Sequence, residues 1–292
     1  MRSDYAPFRL IVIDQSDGSR AAESLVEWLD DPRLTYIATP TRGLARARNL
    51  ALSLSQDELV AMTDDDCEVA PDWIEQIVKS FQVSDKIGIV MGNVFRGAHD
   101  ASTGFIPGYV RAEPFLATGI ADKPNVEGIG ASMAIRRSVW QSIGEFDVRL
   151  GAGTDFHSGD DTDFIIRALL AGHFVYENPA VLVTHHGFRR YEDASVLTSG
   201  YLHGIGATLA KHLKCGKLEM LSVLWSLGAR WGISQPVVEY GFRPARLPRL
   251  IGFARGFTRA FFAPVDRSTG LFRDPLPRVS ERQPADRQTL HV

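Results

Sequence analysis

Short apolar runs alternate with amphipathic segments through the first third of the chain. The runs predicted to be strands are rich in branched residues: RLIVI (9–13), LTYI (34–37), ELVAM (58–62) and IGIVMG (87–92). The segments predicted to be helices carry apolar residues at helical spacing: 20–30, 43–54 and 71–81. This order favours an α/β fold with a mixed, mostly parallel sheet flanked by helices, in which ligands bind beyond the carboxyl ends of the strands.

The next part of the chain is less regular. Residues 93–127 contain many Gly, Pro and aromatic residues and are expected to form loops that shape a cleft. ASMAI (131–135) and AVLVTHHG (180–187) follow as predicted strands, with a predicted helix, FIIRALLAG (164–172), between them. The pattern of a sheet domain therefore continues to about residue 190.

Two amphipathic helical stretches are predicted next, at 195–232 and 247–262, before a tail rich in charge, Pro and Ser. The sequence thus predicts an α/β domain at 1–190, a helical extension at 191–265 and a disordered tail at 266–292. The helical stretches carry Lys and Arg beside apolar residues, which suits peripheral contact with the inner face of the cell membrane. Packing on the domain or dimerisation is the alternative, and the sequence does not predict an oligomeric state.

Composition limits the classes of function. With 292 residues, of which 45% are hydrophobic, the chain can bury a sizeable core. A formal net charge of −3 excludes a general attraction to nucleic acid, so no nucleic-acid partner is expected. Cys67 and Cys215 lack the spacing of a zinc site or a disulfide framework. The stretch MLSVLWSLGARWGI, interrupted by Arg230, is too short to span a bilayer, and no signal peptide is recognised, so we expect a cytoplasmic protein.

Three carboxylates follow the predicted strand ELVAM, in the sequence TDDDC (63–67). Neighbouring carboxylates repel each other, and open water or a bound cation keeps them ionised. Because side chains alternate along a strand, Asp64 and Asp66 are expected to point the same way and to share one ligand. Carboxylate oxygens favour Mg²⁺ or Mn²⁺, which proteins often bind together with substrate phosphates. A solvated loop or a helix N-cap is the alternative for an isolated acidic triplet.

Two further polar groups stand at the ends of predicted elements. Asp160, Asp161 and Asp163 lie at the start of a predicted helix, where acidic residues commonly act as caps. His185 and His186 end a predicted strand, where surface or packing roles are usual, although imidazole also binds Mn²⁺. Each group alone indicates little about function. Their combination with the acidic triplet, at the ends of elements of one sheet, favours a metal-assisted active site.

Five segments resemble, in order and spacing, the family 2 glycosyltransferases, which are inverting enzymes with the GT-A fold. The segments are VIDQSDGS, TRGLARARNLAL, MTDDDCEVAPDWIE, GASMAIRRSVWQSIGEFDVRLGAG and SGDDTDFIIRALLAGHFVYENPAVLVTHH. The resemblance covers about residues 8 to 190. It implies a transferase that uses a nucleotide-diphosphate sugar as donor and a saccharide or lipid-linked hydroxyl as acceptor, in cell-surface polysaccharide or glycolipid synthesis. It also implies Mg²⁺ or Mn²⁺ as the cofactor.

The resemblance assigns residues to the donor side of the site. Asp14 is similar to the family residue that contacts the base or the ribose. Asp66 resembles the principal metal ligand of the family's DxD motif, and Asp64 resembles its other outer member. His185 resembles a histidine that completes the metal shell in some members. The further residues implied to line the donor are Arg42, Gly43, Arg48, Asn49 and Asp65.

The resemblance also assigns an acceptor side. Gly130, Ala131 and Ser132 match the segment that lines the acceptor. Asp161 resembles the general base, with Asp160 in place of the Glu that is more common in the family. Such a base would take the proton of the acceptor hydroxyl as its oxygen attacks the anomeric carbon, which gives a single displacement with inversion.

One departure from the family leaves an alternative open. The family normally has another strand and helix ahead of RLIVIDQSD, and that strand forms part of the nucleotide floor, so weakened nucleotide affinity is expected for the chain as printed. A GT-A-like domain that binds nucleotide sugar without turnover is therefore an alternative function. A nucleotidyltransferase is a third reading, but it would carry a Gly-rich, basic triphosphate loop early in the chain, and the sequence has none.

Overall fold

The computed structural model describes residues 5, 7–18, 20–233 and 246–274 of the chain. Its strands are β1 (Leu10–Asp14), β2 (Leu34–Ala38), β3 (Leu59–Met62), β4 (Cys67–Val69), β5 (Ile87–Arg96), β6 (Gly104–Phe105), β7 (Phe115–Ala117), β8 (Met133–Arg136), β9 (Phe174–His185), β10 (Arg189–Arg190), β11 (Val265–Asp266) and β12 (Leu271–Phe272). Its α-helices are α1 (Arg20–Ser24), α2 (Leu44–Leu54), α3 (Trp73–Gln82), α4 (Arg137–Ile143), α5 (Asp160–Leu170), α6 (Ala194–Lys214), α7 (Met220–Ile233) and α8 (Arg246–Phe262). Short 3₁₀ turns lie at Val26–Trp28, Ile120–Asn125, Gly130–Ser132 and Tyr191–Asp193.

Six strands form the central sheet, in the order β3-β8-β5-β9-β4, with β7 paired to β9 beside that path. Within this sheet β5 and β9 are parallel, and the other pairs are antiparallel. The predicted α/β class with a mixed sheet flanked by helices is confirmed, although β8 runs antiparallel to both of its neighbours. The reason is topological, because β8 follows the long loop region after β5 rather than a crossover helix and enters between β3 and β5 in the opposite direction. β3, β5 and β9 still share one direction.

β1 and β2 form a separate parallel ladder, which runs from Leu10 opposite Leu34 to Asp14 opposite Ala38. Among the described residues, no hydrogen-bonded strand pair joins this ladder to the central sheet. Residues of β1 and β3 instead line a cleft between the two sheets. One of the five β1 residues is buried, whereas eight of the ten β5 residues are buried. Low burial indicates low local stability, so the ladder is held less firmly than the central sheet.

Helices cover both faces of the central sheet. α3 packs on one face, where Trp73 and Phe81 lie in one apolar cluster with Val90. Helices α2, α4 and α5 pack on the other face, in a second cluster that includes Ile89 and Met91. Neighbouring side chains of β5 therefore serve different layers, as expected for a strand with helices on both sides.

The C-terminal helices α6 and α8 pack at close range. A Cβ atom at Gly256 would overlap the carbonyl oxygen of His203, and one at Gly252 would overlap that of Ser199. The predicted helical stretch 195–232 is divided by a turn, since α6 ends at Lys214 and α7 begins at Met220. In the described part of the chain, none of the helices combines the length and the apolar character needed to cross a bilayer.

Buried charges join α6 to the α/β domain. Lys211 Nζ lies 2.7 Å from Asp147 Oδ2 and 2.6 Å from Asp163 Oδ1, and all three side chains are fully buried. His212 Nε2 is 2.8 Å from Asp163 Oδ1, and Arg167 Nε is 2.9 Å from Asp163 Oδ2. Buried charges of this kind are tolerated only when each has a close partner of opposite sign. The first turn of α5 is therefore tied to the helical extension.

The first part of the predicted tail is folded. β11 and β12 form a short antiparallel hairpin. Phe272 is buried, and its backbone N–H donates a hydrogen bond to Asp147 Oδ2 at 2.8 Å. The prediction of disorder is therefore wrong for 266–274, because one aromatic side chain and one backbone hydrogen bond anchor the hairpin. The rest of the predicted tail, 275–292, lies outside the described residues.

Candidate active site

The carboxyl ends of β3 and β9 meet the amino end of β8 at one edge of the central sheet, beside the start of α5. A cleft of about 2560 Å³ opens at this edge and extends between β1 and β3. Residues from all three polar groups singled out in the sequence line the cleft: Asp64, Asp65, Asp66, Asp160, Asp161 and His185. The structure thus brings the three groups together, as their positions at element ends predicted.

The acidic triplet lies in a turn rather than on a strand. β3 ends at Met62, and the backbone N–H of Cys67 donates to the Asp64 carbonyl at 3.2 Å, which leads the chain directly into β4. Asp64 and Asp66 are half-buried against the cleft, whereas Asp65 is exposed. The two outer carboxylates therefore share an environment that differs from that of the middle one.

His185 faces the last carboxylate of the turn. His185 Nε2 lies 3.2 Å from Asp66 Oδ1, and His185 Nδ1 lies 2.7 Å from the Pro107 carbonyl oxygen. Since a carbonyl oxygen only accepts hydrogen bonds, Nδ1 carries a hydrogen, and Nε2 is the ring atom that faces the carboxylate. A proton or a metal cation can occupy the position between Nε2 and the carboxylate oxygen. The geometry fits a metal ion, because a second hydrogen bond of this kind is typical of metal-ligating histidines.

Space and donor chemistry at this point also fit a hard cation. A Cβ atom at Gly187 would overlap Asp66 Oδ2 and lie 2.6 Å from His185 Nε2, so only glycine leaves this corner open. Asp66, Cys67 and His185 each offer a ligand atom within 4.8 Å of the others. Burial, followed by the charge of Asp64, raises the pKa of the Cys67 thiol to about 11, so the thiol remains protonated. The carboxylate and imidazole atoms are therefore the better ligands, and they suit Mn²⁺ or Mg²⁺.

Arg48 connects the two acidic groups. Its Nη1 donates to Asp160 Oδ2 at 2.7 Å and its Nη2 donates to the Gly130 carbonyl oxygen at 3.0 Å. Its Nη2 is also 3.8 Å from Asp64 Oδ1. Burial raises the pKa of Asp64, and it raises the pKa of Asp160 to about 6. The positive charge of Arg48 acts to lower both pKa values but does not outweigh burial. Arg48 thus partly neutralises both sides of the cleft.

Asp161 lies in the first turn of α5 and is half-buried in the cleft. The backbone N–H of Gly130 donates to Asp161 Oδ2 at 3.0 Å, and that of Thr162 donates to Oδ1 at 2.6 Å. The N-cap of α5 is Gly159 and no side chain makes a capping bond there, so these two N–H groups orient the Asp161 carboxylate without making it a cap. Its neighbour Asp160 is buried and paired with Arg48, so the two adjacent carboxylates have different environments.

Three residues assigned to the nucleotide line the far part of the cleft. Asp14 accepts hydrogen bonds from Ser16 N at 2.8 Å and Tyr36 Oη at 2.6 Å, and these partners lower its pKa. Arg42 bonds to Asp17 and to the carbonyl of Gln15. Gly43 precedes α2 with φ +105°, and a Cβ there would lie 2.9 Å from Thr154 Cγ2. The Asp14 carboxylate is thus ionised and held in one orientation.

Two assigned residues do not line the cleft. Asn49 forms two reciprocal hydrogen bonds with the backbone of Phe146, at 2.9 and 2.8 Å. It follows Arg48 on α2, so its side chain points about 100° around the helix from Arg48. Ser132 is 1% exposed, and its Oγ accepts a hydrogen bond from Trp73 Nε1 at 3.4 Å. The expectation that these two side chains face the ligands is therefore wrong, whereas Gly130 and Ala131 do border the cleft.

Two cleft residues were missed in the sequence. Arg189, on β10, places Nη2 at 4.0 Å from Asp66 Oδ2. Tyr201, on α6, also lines the cleft. Burial raises the pKa of its hydroxyl, and the charges of nearby carboxylates add to the rise, while the charge of Arg189 acts to lower it. The available signals were weak: Arg189 follows His185 by four residues, and Tyr201 is the one tyrosine in a helix rich in small residues.

Known proteins similar to this chain act on sugars. The sequence profile described as Glycosyl transferase family 2 matches residues 1–144. The succinoglycan biosynthesis protein ExoM of Rhizobium meliloti is 28% identical over 186 residues, 62% of this chain and 57% of ExoM. The glucosyl-dolichyl phosphate glucuronosyltransferase of Haloferax volcanii is 24% identical over 163 residues, 52% of this chain and 50% of that protein. The chain thus spans about half the length of these curated relatives.

Solved structures show the same fold. The mannosyltransferase PcManGT from Pyrobaculum calidifontis, in complex with GDP-Man and Mn²⁺, has a TM-score of 0.55 at 15% identity, covering 89% of this chain and 80% of that one. A crystal structure of S. aureus TarS (1–349) has a TM-score of 0.54 at 14% identity, covering 89% and 74%. Such identities establish the fold alone. The matched profile, over just under half of the chain, and the named glucuronosyltransferase relative support a family 2 glycosyltransferase, and the solved structures show its GT-A fold.

Proposed function

We propose that this protein is a metal-assisted glycosyltransferase that moves a sugar from a nucleotide-diphosphate donor to an acceptor hydroxyl with inversion, in polysaccharide or glycolipid synthesis. The observation that carries the proposal is the approach of His185 Nε2 to Asp66 Oδ1 at 3.2 Å, in a cleft that also holds Asp161. A cation site and a separate carboxylate are the two groups that such a transfer needs.

The metal side would act on the leaving group. Asp66 and His185, with Asp64 beside them, would hold Mg²⁺ or Mn²⁺, and the bound ion would neutralise the diphosphate as its bond to the sugar breaks. Arg189, at 4.0 Å from Asp66, is near enough to add a second positive charge at the same phosphates. The ionised Asp14 would accept a hydrogen bond from the base or ribose, with Arg42 and Gly43 along the nucleotide.

Asp161 would act on the acceptor. The acceptor oxygen attacks the anomeric carbon, the electron pair of the broken bond leaves with the diphosphate, and the hydroxyl proton passes to the Asp161 carboxylate. The Gly130 N–H holds Asp161 Oδ2 at 3.0 Å, which fixes the direction in which the base faces. Arg48 neutralises the adjacent Asp160, so that a second negative charge does not oppose the approach of the donor diphosphate.

The comparisons suggest ligand classes without identifying the sugar. PcManGT was solved with GDP-Man and Mn²⁺, and the Haloferax relative is named for a glucosyl-dolichyl phosphate substrate. A nucleoside diphosphate donor and a saccharide or lipid-linked acceptor follow for this chain as proposals. A place at the cytoplasmic face of the membrane would suit such an acceptor.

The direct test is turnover on a panel of nucleotide sugars, with release of nucleoside diphosphate followed in Mn²⁺ and in chelator. We expect one donor to be turned over with Mn²⁺ and none in chelator, and the new glycosidic bond to have the opposite anomeric configuration by proton NMR. Retention of configuration would reject the single displacement. Nucleotide binding without turnover on any donor would favour the second candidate, a binding domain.

That second candidate has one observation in its favour. Asp14 stands on the ladder of β1 and β2, which has no hydrogen-bonded connection to the central sheet among the described residues. A nucleotide held by a loosely attached ladder would be positioned imprecisely against Asp161, which favours binding without turnover. Failure to bind any nucleotide in Mn²⁺ would reject both candidates.

Arg189 allows a matched test of the diphosphate position. Arg189→Gln should weaken Mn²⁺-dependent binding of nucleoside diphosphate by roughly tenfold and that of the free nucleoside not at all, because it removes a charge beside the phosphates. Arg190→Gln is the control, since Arg190 is exposed and pairs with Glu192 at 3.3 Å. Equal effects of the two changes would remove Arg189 from the site.

A further inference from the structure

Helix α8 has an unusual distribution of side-chain size. Its small residues Gly252, Gly256 and Ala260 are buried, and the two glycines bring its backbone against α6. Two of its large apolar residues, Phe253 and Phe257, pack against core clusters, whereas the other five are exposed: Leu247 (67% exposed), Leu250 (52%), Ile251 (40%), Phe261 (48%) and Phe262 (79%). The packing of α8 on α6 therefore uses the small side and leaves the large apolar side in solvent.

The exposed residues form one continuous surface. At 100° per residue, positions 247, 250, 251, 254, 258, 261 and 262 fall within an arc of roughly 120° on the helix. Ala254 and Thr258 are the remaining members of this arc, and both are exposed. We call this arc with the adjacent Arg255 and Arg259 the docking face. A contiguous apolar face of this width normally packs on another surface, whereas single exposed apolar residues need no such partner.

Charge indicates what kind of surface would cover the docking face. α8 contains four arginines and no acidic residue, whereas the whole chain carries a net charge of −3. Arg255 is exposed and borders the apolar arc, whereas Arg259, 52% exposed, lies further round the same side of the helix and pairs with Asp155 at 4.0 Å. Apolar residues flanked by arginines are the pattern of helices that lie in a membrane interface, where acyl chains meet anionic headgroups. A twofold contact between two copies would instead place these arginines near one another, which like-charge repulsion opposes.

The docking face is close to the cleft. α6, which packs directly on α8, contributes Thr198, Tyr201 and Leu202 to the cleft wall, and Arg249 of α8 lines the cleft itself. A surface that holds α8 would therefore lie one helix away from the candidate active site. We infer that the docking face binds the surface of an anionic lipid bilayer and holds the cleft beside the headgroups. This inference rests on α8 alone and does not depend on the proposed transferase activity.

The test is flotation of the full chain with vesicles of phosphatidylcholine, with and without phosphatidylglycerol. We expect binding to the anionic vesicles that weakens at high salt. The double change Phe261→Ser with Phe262→Ser should lower binding by roughly tenfold or more, since both side chains would enter the interface. Arg255→Gln should lower binding to anionic vesicles and leave the weaker binding to neutral ones unchanged.

Val83→Ser is the matched control, because Val83 is 59% exposed at the end of α3, on a different element. All the changed side chains are exposed, and circular dichroism would verify that each variant is folded. Absence of vesicle binding by the unchanged chain would overturn the inference, as would equal binding by the double variant. A concentration-dependent dimer that the double variant abolishes, without vesicle binding, would identify a second copy as the occupant.

Discussion

Two regions of this molecule each carry three clustered aspartates, and they keep them ionised by different means. The acidic turn, Asp64 to Asp66, borders the open cleft with one buried cation, Arg48, at 3.8 Å from Asp64. The acidic first turn of α5 is largely internal, where His212 donates a hydrogen bond to Asp163 and three protein cations lie close: Arg48, Arg167 and Lys211. Charges compensated within the fold build structure, whereas charges left without internal partners are available to a ligand.

The pKa directions follow the same division. Burial acts to raise the pKa of Asp163, but Lys211, Arg167 and His212 outweigh it and hold that pKa well below its usual value. Burial also raises the pKa of Asp64, and there Arg48 does not outweigh it, while Asp66 adds to the rise. The acidic turn is thus short of positive charge in the protein alone. A divalent cation at Asp66 and His185 would supply that charge.

The largest expected effect tests whether the α5 group is structural. Lys211→Met would leave Asp147 and Asp163 buried without their shared cation, which should destabilise the fold by about 3–5 kcal/mol. Lys217→Met is the control, because Lys217 is exposed just beyond the end of α6. Urea unfolding followed by circular dichroism measures both. Similar midpoints for the two variants would show that the buried charges do not hold α5 and α6 together.

The sequence predicted the acidic turn better than the α5 group because its signal is local. A predicted strand followed by three aspartates indicates where the chain leaves the sheet, and the alternation of strands and helices identified the sheet edge that carries them. The same local logic identified His185 at the end of β9. The spacing of apolar residues and the positions of the strand ends were sufficient to predict the acidic turn and His185.

Features that depend on distant parts of the chain could not be read. Lys211 lies 64 residues from Asp147, so its burial between two aspartates has no local signal. The reversed direction of β8 depends on how a long loop region returns to the sheet. Asn49 sits in a motif whose neighbours face the cleft, yet the helix turns its amide toward Phe146. Each of these outcomes is decided by tertiary packing.

The second prediction separates catalysis from structure within α5. Asp161→Asn should lower transfer by roughly 10²–10⁴, because the amide cannot take the acceptor proton. Thermal stability and Mn²⁺-dependent nucleotide binding should be unchanged, since asparagine also serves near a helix start and the metal ligands are elsewhere. The measurement combines a melt, a nucleotide titration and a transfer assay on one sample. Transfer at the wild-type rate would reject Asp161 as the base and move the search for a base to Asp160.

The third prediction tests the acidic turn itself. Asp66→Ala should weaken Mn²⁺-dependent binding of nucleoside diphosphate by on the order of 100-fold, because it removes the carboxylate that faces His185. Asp65→Ala should have little effect, since Asp65 is the exposed middle member. Isothermal titration with and without Mn²⁺ measures both. Binding by Asp66→Ala that still responds to Mn²⁺ as in the wild type would remove the cation from this turn.

The fourth prediction compares the two neighbouring histidines. His185→Ala should weaken metal-dependent binding by roughly tenfold, because water can replace an imidazole ligand. His186→Ala should be silent, since His186 is half-exposed and faces Glu68 at 3.7 Å. The same titration distinguishes them. A loss confined to His186→Ala would show that the wrong ring was assigned to the metal.

The smallest expected effect concerns Asp160, which links the two regions through Arg48. Its pKa is raised to about 6 in the fold, chiefly by burial, from 3.8, so the folded protein binds this proton more tightly than the unfolded chain. Stability should therefore rise as the pH falls from about 6 to about 4, and ionised Asp160 costs stability at neutral pH. Asp160→Asn should reduce the change in stability between about pH 6 and about pH 4, because the amide does not titrate. Any loss of stability from the amide itself would be the same at each pH. Asp65→Asn is the control, and urea midpoints across this pH range measure the slopes. If stability changed with pH in the same way for wild type and Asp160→Asn, Arg48 would compensate the charge of Asp160 as fully as Lys211 compensates that of Asp163. Asp160 would then be a structural residue, like Asp163.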